Sequence, residues 1–331
     1  MSADYNIIVD GKPLDAEFKS RIQTVDYLDN LGFSSDTFNV NFGFYADKLY
    51  DLFPKGTPVS LELIDRSVTP AKSIKSGEMF VDSRPLGIQP DYITIGANSK
   101  PMETRGFDHQ ISYSKKKVTL AVLLHDVLKE IGFELNYNFM RDPLNGWNIN
   151  LKNIAIQNQA VGTVVSEYAD MFGCYVKIYD KALIFTNLFS MRGLPPSAFV
   201  DVAKDPIWEL TSEDATHVPT DYTMKYYDPR TGKTLHDKKH RRDVLSTKSE
   251  TIKNIVQKVA DADAARAIAM SVDSQSTQQI TFTTTRNTNL IAGAILNIKG
   301  LKPFNGDFLI TRARHSVEKS WTVEINAERI L

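Results

Sequence analysis

The sequence predicts a mainly β protein in which two similar β-barrel domains flank a small α+β module. Three observations support this fold class. Short segments in which apolar and polar residues alternate occupy both ends of the 331-residue chain, and such alternation is typical of strands with one buried face. Two segments with helical periodicity lie between them. The two ends also share a pattern of glycine-led strands. We therefore expect domains at residues 1–104, 105–206 and 207–331.

The first 104 residues contain several short predicted strands separated by glycine and proline. Asp10-Gly11 is a hairpin-turn pair that follows the apolar segment Tyr5–Val9. Later segments alternate strictly in polarity, and their apolar positions are Phe38, Val40, Phe42, Val59, Leu61, Leu63, Ile93, Ile95 and Ala97. Several strands at such short spacing favour a barrel or a sandwich. A short helix is expected at Tyr45–Leu52.

Two amphipathic helices are predicted in the middle of the chain. Apolar residues recur at i, i+3, i+4 and i+7 from Leu120 and again from Val161. Gly132 and Gly173 follow these two runs and are the expected C-terminal caps. Each helix is followed by a predicted strand, so this region indicates a compact α+β module. Residues 191–206 are rich in proline and glycine and are the expected linker.

The last third of the chain returns to β patterns. A predicted strand at Tyr222–Tyr227 precedes a charged stretch at 233–242, and a helix is expected at 252–271. Four further alternating segments complete a second β domain. The charged stretch is a candidate interface extension, and its cationic residues are Lys233, Lys238, Lys239, Arg241 and Arg242.

The two β domains share an internal echo. Gly77–Asp82 is followed by Tyr92–Ala97, and Gly306–Thr311 is followed by Trp321–Ala327. Another glycine-led segment introduces a strand upstream of each pair. Any two hairpins with a glycine entry could look alike, but the shared order favours a duplicated β domain with the α+β module inserted between the copies.

Composition excludes several classes of function. Lys plus Arg number 39 and Asp plus Glu number 40, so the net charge of −1 gives no reason to expect nucleic acid or anionic membrane as the main partner. Hydrophobic residues make up 42% of the chain, but no apolar run approaches the ~20 residues that span a bilayer. The N-terminus does not resemble a signal peptide. We therefore expect a soluble protein without a membrane anchor.

A search for catalytic motifs identifies no nucleophile elbow, zinc-peptidase motif, phosphate loop or dinucleotide fingerprint. His236 and His240 are four residues apart, as metal ligands on a helix can be, but neighbouring cations would repel a metal, and a solvated loop is favoured. Cys174 is the single cysteine and opens an apolar strand, which favours a core position. The sequence therefore predicts no enzyme activity, no metal and no cofactor.

Two alternative functions remain open at this stage. A peptidoglycan-degrading enzyme would need two carboxylates, or a Cys-His arrangement, in a cleft. The carboxylate candidates by residue type are Glu209 with Asp214 and Asp261 with Asp263. A carbohydrate-binding module would need exposed aromatic residues on one face, and the scattered candidates are Trp147 and Trp208.

Several blocks of the sequence resemble one family in the correct order. The run from Gly77 to Ser83, followed by Pro90-Asp91-Tyr92-Ile93, is similar to a signature of the phage late control protein D family. Ser35–Val40, the two central helices and the C-terminal hairpin resemble further blocks. One departure is Asn158-Gln159-Ala160, where many members carry Glu-Ser-Asp. The motif residues expected to be structural are Asp36, Phe38, Gly77, Phe80, Val81, Asp82, Pro90, Gly173, Gly293, Gly306, Phe308, His315 and Trp321.

The resemblance implies a hub protein of a contractile tail baseplate, in a phage or a related injection system. Members of the family form a homotrimeric ring that adapts the sixfold tail tube to the threefold central spike. It implies tail-tube-like β-barrels and a location in the virion tail baseplate after assembly in the host cytoplasm. Because the sequence stops at Leu331, we expect no fused spike or lysozyme domain of the kind that some relatives carry. The implied partners are the tail tube, central spike, tape measure and baseplate wedge proteins.

Overall fold

A computed structural model describes most of the chain, namely residues 4–32, 34–43, 47–88, 91–99, 106–136, 149–179, 182–214, 219, 221–228, 233–240, 249–252, 276–302 and 304–330. Within these residues the protein is mainly β, and most strand pairs are antiparallel. The predicted fold class, mainly β with an α+β insertion, is confirmed. No described helix is long and apolar enough to cross a membrane.

The first β half extends from residue 4 to residue 99. Its elements are β1 (Asp4–Val9), β2 (Lys12–Pro13), α1 (Ala16–Lys19), β3 (Ile22–Asn30), β4 (Thr37–Phe42), α2 (Asp47–Leu52), β5 (Pro58–Asp65), β6 (Lys72–Lys75), β7 (Met79–Ser83), β8 (Leu86–Ile88) and β9 (Asp91–Asn98). Asp10 and Gly11 have φ of 48° and 74° and connect β1 to β2. Two successive positive φ angles define the turn that suits the twist of a hairpin, so the predicted turn is confirmed.

The α+β module follows. Its elements are β10 (Gln110–Thr119), α3 (Leu120–Lys129), β11 (Glu134–Asn136), β12 (Asn150–Ala160), α4 (Val161–Met171), β13 (Cys174–Tyr179), β14 (Ala182–Asn187) and α5 (Leu188–Met191). The Thr119 hydroxyl accepts a 3.3 Å hydrogen bond from a backbone N–H in the first turn of α3, which caps the helix. Leu124 and Val165 are fully buried in the core of the module. Gly132 and Gly173 have positive φ after the two helices, as caps require.

The second β half and its extension complete the chain. The strands are β15 (Ala198–Asp201), β16 (Ile207–Asp214), β17 (Asp221–Asp228), β18 (Lys233–His240), β19 (Ser249–Ile252), β20 (Gln278–Thr285), β21 (Ile295–Lys299), β22 (Gly306–Val317) and β23 (Trp321–Arg329). Strands β17, β18 and β19 form a separate small sheet. Tyr222 of β17 is buried in the core of the α+β module, so this extension packs on the module.

The two β halves repeat one strand order. Five strands of the first half lie side by side as β3-β4-β9-β7-β5, and five of the second half as β16-β20-β23-β22-β21. Along the chain, the strands of both halves fill the first, second, fifth, fourth and third positions of this order in turn. Every neighbouring pair is antiparallel. A sixth strand lies outside the fifth in each half, but its direction is not repeated: β1 is antiparallel to β5, whereas β15 is parallel to β21. The echo in the sequence therefore corresponds to a repeated topology.

Matching irregularities strengthen this correspondence. A bulge interrupts the β7–β9 pairing at Asp82 and the β22–β23 pairing at Thr311, which are equivalent positions of the echo. Gly56 and Gly293 both have positive φ, and each donates a 2.8 Å backbone hydrogen bond to the carbonyl that precedes the bulge. Because a bulge shifts strand register at one defined residue, its recurrence favours duplication over a general likeness of hairpins.

One continuous sheet joins the two halves. The first residues of β22 pair with β21, and its last residues pair with β3 of the other half. A single hydrophobic core extends through both halves and includes Phe38, Ile95, Phe282, Phe308 and Ile325. The halves are therefore fused along an edge rather than separated by a linker.

Three expectations need correction or fall outside the description. Residues 191–206 were expected to be a linker, but they include β15, which pairs in parallel with β21 and buries Ala198 and Val200. The stretch around His236 and His240, expected to be a loop, is strand β18 because it pairs along its whole length with β17. The helix expected at 252–271 lies outside the described residues, apart from the residue that ends β19.

Candidate functional site

The most distinctive feature is the seam between the halves, formed by residues 25–30 of β3 and 312–317 of β22. We call it the β3–β22 seam. The strands are antiparallel, with Tyr27 opposite His315. Asp26 accepts hydrogen bonds from the Ser316 hydroxyl and, at 3.3 Å, from Arg314 Nη2. The seam therefore combines backbone pairing with specific polar contacts.

His315 lies at the centre of the seam and is fully buried. Its Nε2–H donates to the Leu290 carbonyl at 2.9 Å, and its Nδ1 accepts from Trp321 Nε1 at 3.2 Å. These partners require the neutral ring, since one can only accept and the other can only donate. Tyr27 stacks on the imidazole with ring centroids 6.1 Å apart. Burial lowers the pKa of His315 to about 4, so the ring is a neutral packing element at physiological pH.

A buried charge cluster lies beside the seam, where the α+β module contacts both halves. Lys177 of β13 forms an ion pair with Asp29 of β3, and its Nζ is 3.8 Å from Asp36 Oδ2. Asp29 also accepts a 2.8 Å hydrogen bond from the backbone N–H of Ala292 in the second half. The three charged side chains are at most 11% exposed. We call this group the Asp29–Lys177–Asp36 cluster, and it connects all three parts of the chain.

Asp36 is the least satisfied member of the cluster. Its Oδ1 accepts the backbone N–H of Asn30 at 2.8 Å, whereas its Oδ2 has no hydrogen-bond partner. Burial, opposed by Lys177 and reinforced by the negative charge of Asp29, raises the pKa of Asp36 to about 7. A cavity of about 460 Å³ opens beside Asp29 and Lys177, and its walls come from both halves and the module.

The structure places the motif residues in the two halves and their seam. The buried core contains Phe38, Val81 and Phe308, and Phe80 is half-buried. Gly77, Gly173, Gly293 and Gly306 have positive φ, a conformation that favours glycine. Asp36 belongs to the buried charge cluster, His315 and Trp321 meet at the seam, and Asp82 accepts a 2.8 Å hydrogen bond from Asn98 Nδ2. Pro90 lies outside the described residues.

The candidate interface extension is only partly described. Lys233, Lys238 and Lys239 belong to strand β18, and Lys238 is exposed. Arg241 and Arg242 lie outside the described residues. In the same strand, His240 Nδ1 lies 2.9 Å from Asp221 Oδ1 in an exposed pair.

Sequence reasoning missed the partners of these motif residues. Tyr27 and Asp29 have the period-two spacing of β3, but that pattern does not reveal which strand covers them. Lys177 lies in an otherwise apolar strand, and this lone cation was the available signal of a buried ion pair. Its two acidic partners are distant in sequence.

The residues considered for catalysis are not brought together into a recognisable centre. Among the described residues, no group of three His, Cys, Asp or Glu side chains could hold a metal ion. Burial raises the pKa of Cys174 well above its ordinary value, which disfavours the reactive thiolate. Glu209 is exposed at a bulge in β16, the strand that ends with Asp214, while Asp261, Asp263 and Trp147 lie outside the described residues.

Comparison of the fold with solved structures identifies phage tail proteins. The tail protein from Neisseria meningitidis MC58 has a TM-score of 0.67 and 11% identity over 99% of this chain and 97% of that one. The 43 kDa tail protein of prophage MuSo2 from Shewanella oneidensis has a TM-score of 0.67 and 12% identity, covering 98% of each chain.

A third similar structure comes from a secretion system. It is an E. coli component of the type VI secretion system, described as structurally similar to the T4 bacteriophage tail proteins gp27 and gp5, with a TM-score of 0.56 and 12% identity over 97% of this chain and 76% of that one. No family model and no curated protein matches the sequence. The chain thus has the fold of phage tail and type VI secretion components.

Proposed function

We propose that this protein is the structural hub of a contractile tail baseplate or a related injection system, similar to the late control protein D family. Three copies would form a ring that adapts a sixfold tail tube to a threefold central spike. The observation that carries this proposal is the repeated strand order of the two β halves, with a bulge at equivalent residues and one continuous sheet between them.

The symmetry argument is physical. A sixfold tube ends in six similar surfaces, and three chains can meet six surfaces only if each chain offers two similar halves. The fusion along the β3–β22 seam holds the two halves of one chain at a fixed angle, because backbone pairing leaves little freedom between adjacent strands. The likeness to phage tail and type VI secretion folds supports the same role.

The proposed partners follow from this position. One face of the ring would contact the tail tube protein and the other the central spike, with tape measure and baseplate wedge proteins nearby. Lys233, Lys238, Lys239, Arg241 and Arg242 would extend toward a neighbouring subunit or one of these partners. The protein would be assembled in the host cytoplasm and remain in the virion baseplate.

The proposed role is binding, without catalysis. The buried ionisable groups that would be candidates for chemistry are held by structural contacts: His315 is hydrogen-bonded on both nitrogens, and Lys177 is paired with Asp29. Purified protein should not degrade peptidoglycan in a zymogram. A clearing zone that disappears in the Glu209→Gln variant would overturn this part of the proposal.

Reconstitution tests the role directly. The chain should be expressed together with the tube and spike proteins of the same tail, and the purified complex should be analysed by native mass spectrometry. Three copies of this chain bound to the spike are expected, with the tube protein joining the opposite face. A complex with another copy number, or no association with either partner, would contradict the proposal.

A further inference from the structure

The first half has an open strand edge at the position where the second half is covered. Leu86 of β8 pairs with Ile93 of β9, and His315 of β22 pairs with Val323 of β23. Counting from the shared bulge, Leu86 and His315 are equivalent. His315 is fully buried under β3, whereas Leu86 is 45% exposed, and among the described strands β8 pairs only with β9.

The second half has the complementary open edge. Strand β16 is the counterpart of β3, and among the described strands it pairs only with β20. Ser212 occupies the place of Tyr27, since it pairs with Ile280 as Tyr27 pairs with Phe38. Ser212 is exposed, and Trp208 near the start of the strand is 45% exposed. Within the part of the chain that the structure describes, the β8 edge and the β16 edge are therefore both open, and they are the counterparts of the two edges, β22 and β3, that the seam joins.

The backbone of β8 is oriented for such a contact. The Pro85 carbonyl accepts a 2.9 Å hydrogen bond from the Thr94 N–H of β9. In an antiparallel pair, alternate residues direct their N–H and C=O groups to opposite sides of the strand. The N–H and C=O of Leu86 therefore face away from β9, toward the open edge. Pro85 lacks a backbone N–H, but an N–H at this position would face β9. The proline therefore removes no hydrogen-bond donor from the open edge.

We infer that β8 of one copy pairs antiparallel with β16 of the next copy, with Leu86 opposite Ser212, and so repeats the β3–β22 seam between chains. The occupant of each open edge is thus a second copy of this protein. The two edges differ, so the contact is head-to-tail, and a head-to-tail contact that closes by rotation makes a ring. This inference rests on the proposed function, for which it supplies the strand contact.

Cysteine cross-linking tests the register. In a Cys174→Ala background, chains with Leu86→Cys are mixed with chains with Ser212→Cys, assembled with the spike, and oxidised. Opposite residues in a hydrogen-bonded pair have Cα atoms about 5.5 Å apart, within the range of a disulfide. The matched control replaces Ser212→Cys by Thr211→Cys, whose side chain points to the other face of the sheet.

A covalent pair between the Leu86→Cys and Ser212→Cys chains, but not with the Thr211→Cys control, is the expected result. If particles with three copies give no such pair, the strand contact is wrong while the hub role stands. Cross-linking to another protein would likewise overturn the contact. If the copy number is not three, the proposed function itself fails.

Hydrogen exchange on the unmodified protein provides an independent measurement. The amides of Leu86 and Ser212, whose N–H groups would form hydrogen bonds in the proposed contact, should become protected when the particle assembles, because both open edges gain hydrogen-bond partners. The seam amides of 312–317 are the internal control, since they are already paired in one chain. Unchanged exchange at both open edges in assembled particles would overturn the inference.

Discussion

The two β halves share a strand order but differ at one equivalent edge, which is covered in the second half and open in the first. In the second half the edge of β22 is covered by β3, and the covered position holds His315 beneath the Tyr27 ring. In the first half the equivalent edge is open and holds Leu86, and the strand that could cover it has Ser212 in place of the tyrosine. Buried aromatic side chains mark the contact made within the chain, whereas Leu86 and Ser212 are exposed at the edges that we propose pair between copies.

The open edges also carry features that discourage indiscriminate pairing. Strand β16 has exposed Glu209 and Glu213, and a bulge at Glu209 interrupts its register. Pro85 precedes the short strand β8. Charge, bulges, short strands and proline are the means by which proteins protect free edges from aggregation. We therefore propose that the covered edge stabilises one chain and that the open edges join chains.

The largest effect on stability is expected when the aromatic side chain of Tyr27 is removed from the seam. Tyr27 is 2% exposed, so Tyr27→Ala should lower the free energy of unfolding of the isolated chain by about 3–5 kcal/mol. The matched change at the open edge, Ser212→Ala, should alter it by less than about 0.5 kcal/mol. Urea denaturation measures both. Equal effects at the two positions would remove the distinction between the edges.

The Asp29–Lys177–Asp36 cluster lies on the covered side, and breaking it should lower the free energy of unfolding by nearly as much. Lys177→Met leaves Asp29 buried without its cation, which should destabilise the protein by about 3 kcal/mol. The double variant Lys177→Met with Asp29→Asn should recover part of that loss, because the uncompensated charge is gone. Additive effects in thermal or urea unfolding would show that the two side chains do not interact.

Asp36 should make stability fall as pH rises. Its pKa is raised from 3.8 to about 7 in the folded chain, so the folded state holds the extra proton between these values and stability declines until pH 7 is passed. Asp36→Asn removes that dependence. The difference in unfolding free energy between variant and parent should shift in favour of the variant by about 2–3 kcal/mol from pH 5 to pH 8. A constant difference would contradict the raised pKa.

His315 should affect the pH dependence of stability in the opposite direction to Asp36. Its pKa is lowered from 6.5 to about 4, so the unfolded chain takes up the proton first and stability falls as pH decreases from about 6.5 to 4. His315→Gln cannot titrate and should lose about 2 kcal/mol less than the parent between pH 7 and pH 4.5. A parallel loss in both proteins would show that the ring is not kept neutral by the fold.

The smallest effect on the isolated chain is expected at the open edge of the first half. Leu86 is exposed in one chain, so Leu86→Asp should change its unfolding free energy by less than about 0.5 kcal/mol. The same change places a charged carboxylate in the proposed contact opposite Ser212 of a neighbouring copy, where it would lose solvation, and should weaken association tenfold or more, measured by sedimentation of reconstituted complexes. Val68→Asp, an exposed apolar residue outside the seam, is the control and should assemble normally.

Much of the fold was predictable because its signals are local. The alternation at Phe38–Phe42 and the helical spacing from Leu120 and Val161 identified buried faces that the structure confirms. The glycine-led echo identified two segments that occupy equivalent strands with equivalent bulges. Each of these patterns reflects a face of one element or a turn between neighbours.

The long-range contacts were not predictable in the same way. Pairing of β22 with β3 connects residues almost 290 positions apart, and period two determines the buried face of a strand without naming its neighbour. For the same reason, β15 was mistaken for a linker and the partners of Lys177 were missed. His315 was selected by family resemblance alone, and its hydrogen bond with Trp321 emerged only from the fold.

An electron cryo-microscopy reconstruction of the assembled baseplate tests the central claim most directly. The account predicts three copies of this chain around one axis, six similar β halves in alternation, and β16 of each copy beside β8 of the next. A different copy number, or β halves that do not alternate around the axis, would contradict it.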